Sequence, residues 1–272
     1  MRKNFYRERQ FLLAVTSMLL CSGTAWADGI SANPPAAEDT GFTILSDSTN
    51  VTHWGLGVGA GYAQRPYTGE EGKYSAIPLI LFDDKWVHVL GTTVDLKVGK
   101  WDNVSVALRA QYAFGDAYRA SDSPALAGMN TRVGTLWFGP SLAWNTPYGT
   151  LSGDFLASDN KGQKAKIEFG KAFEYGKFFI EPHISSEWFS QKYVTYYYGV
   201  QASEVEPGRD MYTGKATYDT SIGAKFDYRI TPHQLVSFDL DATRLGSGIT
   251  DSPIVGRKVI PQVKLGYLYQ FN

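Results

Sequence analysis

From His53 to Tyr62 every second residue is larger and mostly apolar: Trp54, Leu56, Val58, Ala60 and Tyr62 alternate with His53, Gly55, Gly57, Gly59 and Gly61. A period of two places successive side chains on opposite faces of a strand. The rhythm returns along the chain. Val104, Val106, Leu108, Ala110, Tyr112 and Phe114 oppose Ser105, Ala107, Arg109, Gln111 and Ala113, and Tyr218, Thr220, Ile222, Ala224, Phe226 and Tyr228 oppose Asp219, Ser221, Gly223, Lys225 and Asp227. Each run is about 10 residues, the length of a tilted strand that crosses a bilayer. Turn-forming stretches such as Gly99–Asn103, Asn145–Gly149, Asp159–Gly162 and Glu174–Gly176 separate many of the runs. No amphipathic helix of useful length and no parallel crossover pattern appears, so the chain reads as a meander of antiparallel hairpins.

A soluble sandwich would also alternate, and the placement of aromatics decides against it. Trp54 and Tyr62, or Tyr218 and Tyr228, stand at the ends of their apolar faces, where a membrane barrel carries its interfacial girdles. The last run, Val263, Leu265, Tyr267, Tyr269 and Phe271 against Lys264, Gly266, Leu268, Gln270 and Asn272, has the form of a barrel's closing strand. A helical membrane protein is excluded from the segment after the leader, because its longest charge-free stretch, Val133–Gly153, is broken by Pro140, Asn145 and Pro147. The hydrophobic fraction of 43% is that of a soluble protein only because lipid-facing and lumen-facing residues are interleaved.

Eleven segments follow from alternation, among them Trp86–Val98 and Phe178–Phe189. A barrel with both termini in the periplasm needs an even number. The expectation is therefore an all-β, transmembrane, antiparallel up-and-down barrel of about 12 strands. Either Trp86–Val98 breaks near Gly91-Thr92-Thr93, or Tyr193–Val200 is a strand of its own. The long segments Ala63–Lys73, after Val200 and after Leu245 fall on the extracellular side.

The barrel is assigned to residues 51–272, behind two leader pieces. Residues 1–27 have the basic start, apolar stretch and Ala25-Trp26-Ala27 cleavage site of a secretory signal, and 28–50 read as a flexible periplasmic leader. Removing 1–27 takes away four basic residues and one acidic one, moving the formal charge from −1 to −4. That balance argues against nucleic acid as a partner. The single cysteine, Cys21, leaves with the signal, which excludes disulfides and thiolate metal sites. The four histidines show no metal-ligand spacing, and no cofactor is expected.

The sequence resembles the MipA/OmpV outer-membrane proteins. The resemblance is carried by Gly57-Val58-Gly59-Ala60-Gly61-Tyr62, Arg65-Pro66-Tyr67-Thr68-Gly69 and Ala76-Ile77-Pro78-Leu79-Ile80. It continues with Tyr196-Tyr197-Tyr198-Gly199-Val200 leading into Ala202-Ser203-Glu204, and with Asp251-Ser252-Pro253-Ile254-Val255. It implies an outer-membrane location, contact with outer-membrane lipid, and, for one branch, a scaffold that tethers a murein lytic transglycosylase to a murein synthase. Other members are linked to osmotic response, adhesion or antibiotic susceptibility.

Two groups of candidate residues follow. Tyr196, Tyr197, Tyr198 and Gly199 read as a loop that receives a partner or, preferably, as an aromatic belt over a packed loop base. Asp251, Ser252 and Pro253 read as a structural turn, with the partner-binding alternative open. The second group is inward charge: Arg109, Glu181, Lys225, Asp227, Asp239, Asp241 and Lys264 all oppose apolar faces. A salt-bridged or solvated lumen accommodates them, whereas a Lys or Arg facing lipid costs about 2–4 kcal/mol at the midplane. A small-solute pore is the alternative function. His183-Ile184-Ser185 resembles the His-x-Ser element of outer-membrane lipopolysaccharide deacylases, but a lumen-facing pair cannot reach acyl chains. The expectation is a non-enzymatic protein.

Overall fold

The computed structural model describes residues 43–44, 50–114 and 116–271. The signal at 1–27 and nearly all of the leader at 28–50 lie outside the described residues. The chain runs through β1 (Thr43–Ile44), β2 (His53–Ala63), β3 (Lys73–Asp83), β4 (Val87–Leu90), β5 (Thr93–Trp101), β6 (Val104–Ala113) and β7 (Thr135–Thr146). It continues through β8 (Gly149–Ser158), β9 (Gly162–Gly170), β10 (Phe173–Tyr175), β11 (Phe178–Phe189) and helix α1 (Gln191–Tyr198). Then come β12 (Thr217–Thr231), β13 (Gln234–Arg244), α2 (Ser247–Thr250) and β14 (Val259–Gln270).

All pairings are antiparallel, and β14 returns to β2 from Gln262↔Ala63 to Gln270↔Gly55, closing the sheet on itself. Twelve strands form the wall; β1 and β10, of two and three residues, are annexes on β5 and β11. No helix among the described residues is long and apolar enough to cross a membrane.

The missing strand lies where the chain breaks between Leu90 and Thr93, which pair across a two-residue turn. Gly91 has φ +59°, the positive value that the first position of a tight II′ hairpin turn requires. Tyr193–Val200 supplies no wall strand: it lies in α1 and its extended end, where Val200 makes a single bridge to Tyr212, and the Ser190 side chain caps the helix by accepting from Tyr193 N–H. The β4–β5 hairpin is short. It reaches β3 only at Leu81, Phe82 and Asp83, so Lys73–Leu79 have no strand partner on that side among the described residues. Pro78 falls within this unpaired stretch, where a ladder has no use for the N–H it lacks.

The two faces of the wall invert the ordinary pattern of burial. Val58 and Ile222 are each 65% exposed, while Arg109, Lys164, Glu168, Lys225, Asp239 and Lys264 are buried. A bilayer outside and a packed lumen inside make both placements favourable. Aromatics ring both ends of the outer surface, with Trp54 stacked on Phe271 at 4.2 Å and Phe178 against Tyr228 at the short-turn end, and Tyr62 against Tyr74 at the other. The glycine face of β2 permits close approach at the seam: a Cβ on Gly57 would lie 2.1 Å from the Tyr267 carbonyl oxygen of β14.

The long connections 64–72, 114–134, 190–216 and 245–258 all emerge at the end opposite the β2 start and the β14 finish. Barrels of this kind turn tightly in the periplasm and loop at length outside, so these connections form the extracellular face.

Candidate functional site

The four loops fold into the mouth of the barrel as one plug. Its core joins Tyr67 from the first loop, Tyr118, Leu126 and Met129 from the second, Tyr193, Val194, Tyr197 and Tyr198 from α1, and Ile249 and Ile254 from the last. These meet wall residues Trp137, Leu156 and Phe189. The motif residues interlock directly. Tyr67 Oη donates to the Asp116 carbonyl at 2.6 Å, Ser252 Oγ donates to the Tyr198 carbonyl at 2.6 Å, and Thr68 N–H donates to the Ile254 carbonyl at 2.9 Å. Tyr197 and Tyr198 are 1% exposed, so the tyrosine run is a packed loop base. Asp251, Ser252 and Pro253 form the turn that follows α2, with Ser252 N–H donating to the Ile249 carbonyl. Gly199 ends α1, its N–H donating to the Thr195 carbonyl at 3.0 Å.

Burial drives the Tyr67 and Tyr198 hydroxyls well above their ordinary range and pushes Tyr118 up to about 12. These hydroxyls therefore stay protonated, and Tyr67 keeps its donor role toward the Asp116 carbonyl.

A polar latch fixes the second loop to the segment after α1. Glu204 accepts from Asn130 N–H at 2.9 Å, from Asn130 Nδ2 at 2.8 Å, from Gln201 N–H at 2.9 Å and from Arg132 Nη2 at 2.9 and 3.0 Å. Arg209 locks the other side by donating to the carbonyls of Glu204, Ala125 and Ala127. Burial opposes the Glu204 charge, but the two amides and Arg132 outweigh it and hold the carboxyl below its ordinary value of 4.5. A folded-state value below the unfolded one stabilises the latch at pH above the unfolded value. That stability is lost as pH falls through the folded value. Limited proteolysis of the extracellular loops is expected to accelerate only as pH drops below the ordinary glutamate range. Glu204→Gln, which leaves Arg132 buried without its anion, is expected to cost about 3 kcal/mol at neutral pH and to abolish this acid-dependent step. Equal acid sensitivity in the variant would refute the latch.

Below the plug the lumen is crossed by ion pairs. Arg109 grips Asp95 with Nε and Nη2, both at 2.8 Å, and reaches Asp154 with Nη1 at 3.0 Å. Across the barrel a second network joins β11 to β14. Lys225 pairs with Asp227 at 3.0 Å, which also accepts from Ser237; Lys264 lies 3.3 Å from both Asp239 and Asp241; His183 Nε2 lies 2.8 Å from Asp241. Glu181 sits opposite Lys225 in the register. Five of the sequence candidates, Glu181, Lys225, Asp239, Asp241 and Lys264, are thus neighbours, with Asp227 adjoining them, while Arg109 belongs to a separate cluster.

His183, Asp239 and Asp241 bring ligand atoms within 4.8 Å of one another. The Lys264 ammonium lies 3.3 Å from both aspartates and balances their charge. The His183 ring nitrogens face Asp241 and the Glu181 carbonyl, and Ser185 is not among their partners.

Alternation did not reach Asp116, Asn130, Arg132, Arg209 or Asp219 as functional residues. All but Asp219 lie in loops, and Asp219 is one polar residue among many on an inner strand face.

A closed antiparallel barrel with an apolar aromatic-girdled exterior, an ion-paired lumen and a loop-plugged outer mouth is an outer-membrane β-barrel protein. The family model described as MltA-interacting protein MipA matches residues 56–271, and the chain belongs to that family. The MltA-interacting protein of Escherichia coli strain K12 is 26% identical over 239 residues, covering 84% of this chain and 96% of that one. The putative outer membrane protein YiaT of the same strain is 23% identical over 223 residues, covering 77% and 87%. OmpV of Vibrio cholerae serotype O1 is 28% identical over 144 residues, covering 52% and 56%. The protein resides in the outer membrane.

Proposed function

We propose that this protein is a non-enzymatic outer-membrane scaffold that holds a murein lytic transglycosylase, and through it a murein synthase, at the inner surface of the outer membrane. The observation that carries the reading is family membership together with the relative named for its interaction with MltA. The filled extracellular mouth is consistent with it, because loops that lock one another are fitted to seal a barrel rather than to admit solutes. The periplasmic rim offers Tyr148 on the β7–β8 turn and Tyr175 at the end of β10, 77% and 64% exposed, and aromatic side chains are favoured anchors for protein partners.

Full-length folded protein immobilised in detergent is expected to retain a soluble lytic transglycosylase from the same cell. Retention should disappear when the barrel is heat-unfolded. Passage of the enzyme through the column with no retardation, on protein that shows the folded barrel's gel mobility, would count against the scaffold.

A further inference from the structure

Between the plug and the lumen lies a cavity of about 110 Å³. Trp137, Phe189, Tyr193, Tyr197 and Tyr198 form its aromatic side, and Asp116 and Asp219 also line it. Four cations line it as well, and each already has an anion: Arg65 with Glu70, Lys164 with Glu187, Lys166 with Glu168, and Lys264 with Asp239 and Asp241.

Of the three acids that line the cavity, Glu187 pairs with Lys164 at 3.3 Å, and the two aspartates are held differently. Asp116 Oδ2 accepts from Tyr193 Oη at 2.9 Å and Asp219 Oδ1 accepts from Gly246 N–H at 2.8 Å. Among the described residues neither has a Lys, Arg or His within ion-pair distance. Asp219 is 7% exposed. Both acids line the same cavity as Tyr198.

A carboxylate as buried as Asp219 is strongly unfavourable without a cation, and either a proton or a bound cation relieves it; the half-buried Asp116 adds a second negative charge to the same cavity. Aromatic faces around the acids favour the cation, since their quadrupoles attract positive charge most strongly where water is excluded. Size limits the occupant: an apolar cavity of about 150 Å³ holds a benzene molecule, so this one takes an ammonium head with a few carbons. Lower in the cavity the lining continues with Ser185, Ser221 and Gln262, polar residues that lead toward the lumen rather than through the plug.

We propose that this cavity is a binding site for a small organic cation, whose ammonium group sits between Asp116 and Asp219 against the tyrosine and tryptophan rings. The site needs no transport through the barrel and does not depend on the scaffold reading.

The test titrates the full-length protein, folded in detergent, with choline chloride and follows heat release and tryptophan fluorescence. The uncharged isostere 3,3-dimethyl-1-butanol and sodium chloride serve as comparisons. Saturable choline binding is expected, with the isostere and sodium giving none. The double variant Asp116→Asn/Asp219→Asn is expected to bind about tenfold more weakly or worse. If the double variant does not reach the folded barrel's gel mobility, single Asp116→Asn is read instead, with a smaller loss expected. Absence of saturable choline binding, equal binding of the isostere, or undiminished binding by a folded aspartate variant would overturn the proposal.

Discussion

Arg109→Ala lowers the unfolding free energy of the barrel by about 3–5 kcal/mol. The guanidinium is 6% exposed and satisfies two aspartates from different strands, Asp95 on β5 and Asp154 on β8. Removing it leaves two carboxylates facing each other in the lumen with no cation between them, and the desolvation cost of both charges remains. Replacing all three residues together by apolar side chains of similar volume should be close to neutral, because the unpaired charge disappears with the pair. Urea unfolding followed by tryptophan fluorescence, with gel mobility as a second probe, separates the two variants. A single variant as stable as the parent would show that water reaches Asp95 and Asp154 freely and that the network is not structural.

The second large effect is on permeability. Replacing residues 191–214 by a short Gly-Ser linker removes α1 and with it Tyr193, Val194, Tyr197 and Tyr198, the largest single contribution to the plug. The wall itself should survive, because Phe189 of β11 and Thr217 of β12 are direct partners and a tight turn can join them. An eight-stranded barrel is filled by its own side chains and a sixteen-stranded one holds a channel. At twelve strands something must occupy the bore. Planar-bilayer recordings are expected to show no steps for the full-length protein and clear steps for the plugless one. Steps from the full-length protein would show that the interlocked loops do not seal it, and silence from both would move the seal down to the ion pairs.

How much of this was visible in the residues varies with depth. The lipid-facing and lumen-facing sets of β2, β6, β12 and β14 were legible from period two alone, since a strand leaves a side chain only two directions and a bilayer sorts them sharply. The break in Trp86–Val98 carried its own signal. Val87 and Val89 are odd-numbered and Val94, Leu96 and Val98 even-numbered, a change of phase that a two-residue turn imposes and a continuous strand forbids. Tyr193–Val200 gave no such signal. Its tyrosines suit a strand by propensity, and packing against Tyr67 and Trp137 from distant segments, and against Phe189 at the end of the preceding strand, holds it as a helix. Propensity is a weak prior that tertiary contact overrides.

The inner charges show the same limit at finer grain. Alternation puts Lys225, Asp239, Asp241 and Lys264 on the polar strand faces, but which acid meets which base depends on register across the β12, β13 and β14 ladders. Asp116 and Asp219 look no different from those acids in a list of residues, yet the fold brings them to one aromatic-lined cavity with no cation at ion-pair distance among the described residues.

The sequence by itself determined the wall: an antiparallel outer-membrane barrel, its two faces and its location, because the period of a strand and the polarity of a bilayer act locally, residue by residue. Only the tertiary structure decided the interior. The plug, the latch at Glu204, the partners of each charge and the aromatic cavity all arise from residues brought together across tens to hundreds of chain positions, and no local pattern encodes which of them meet.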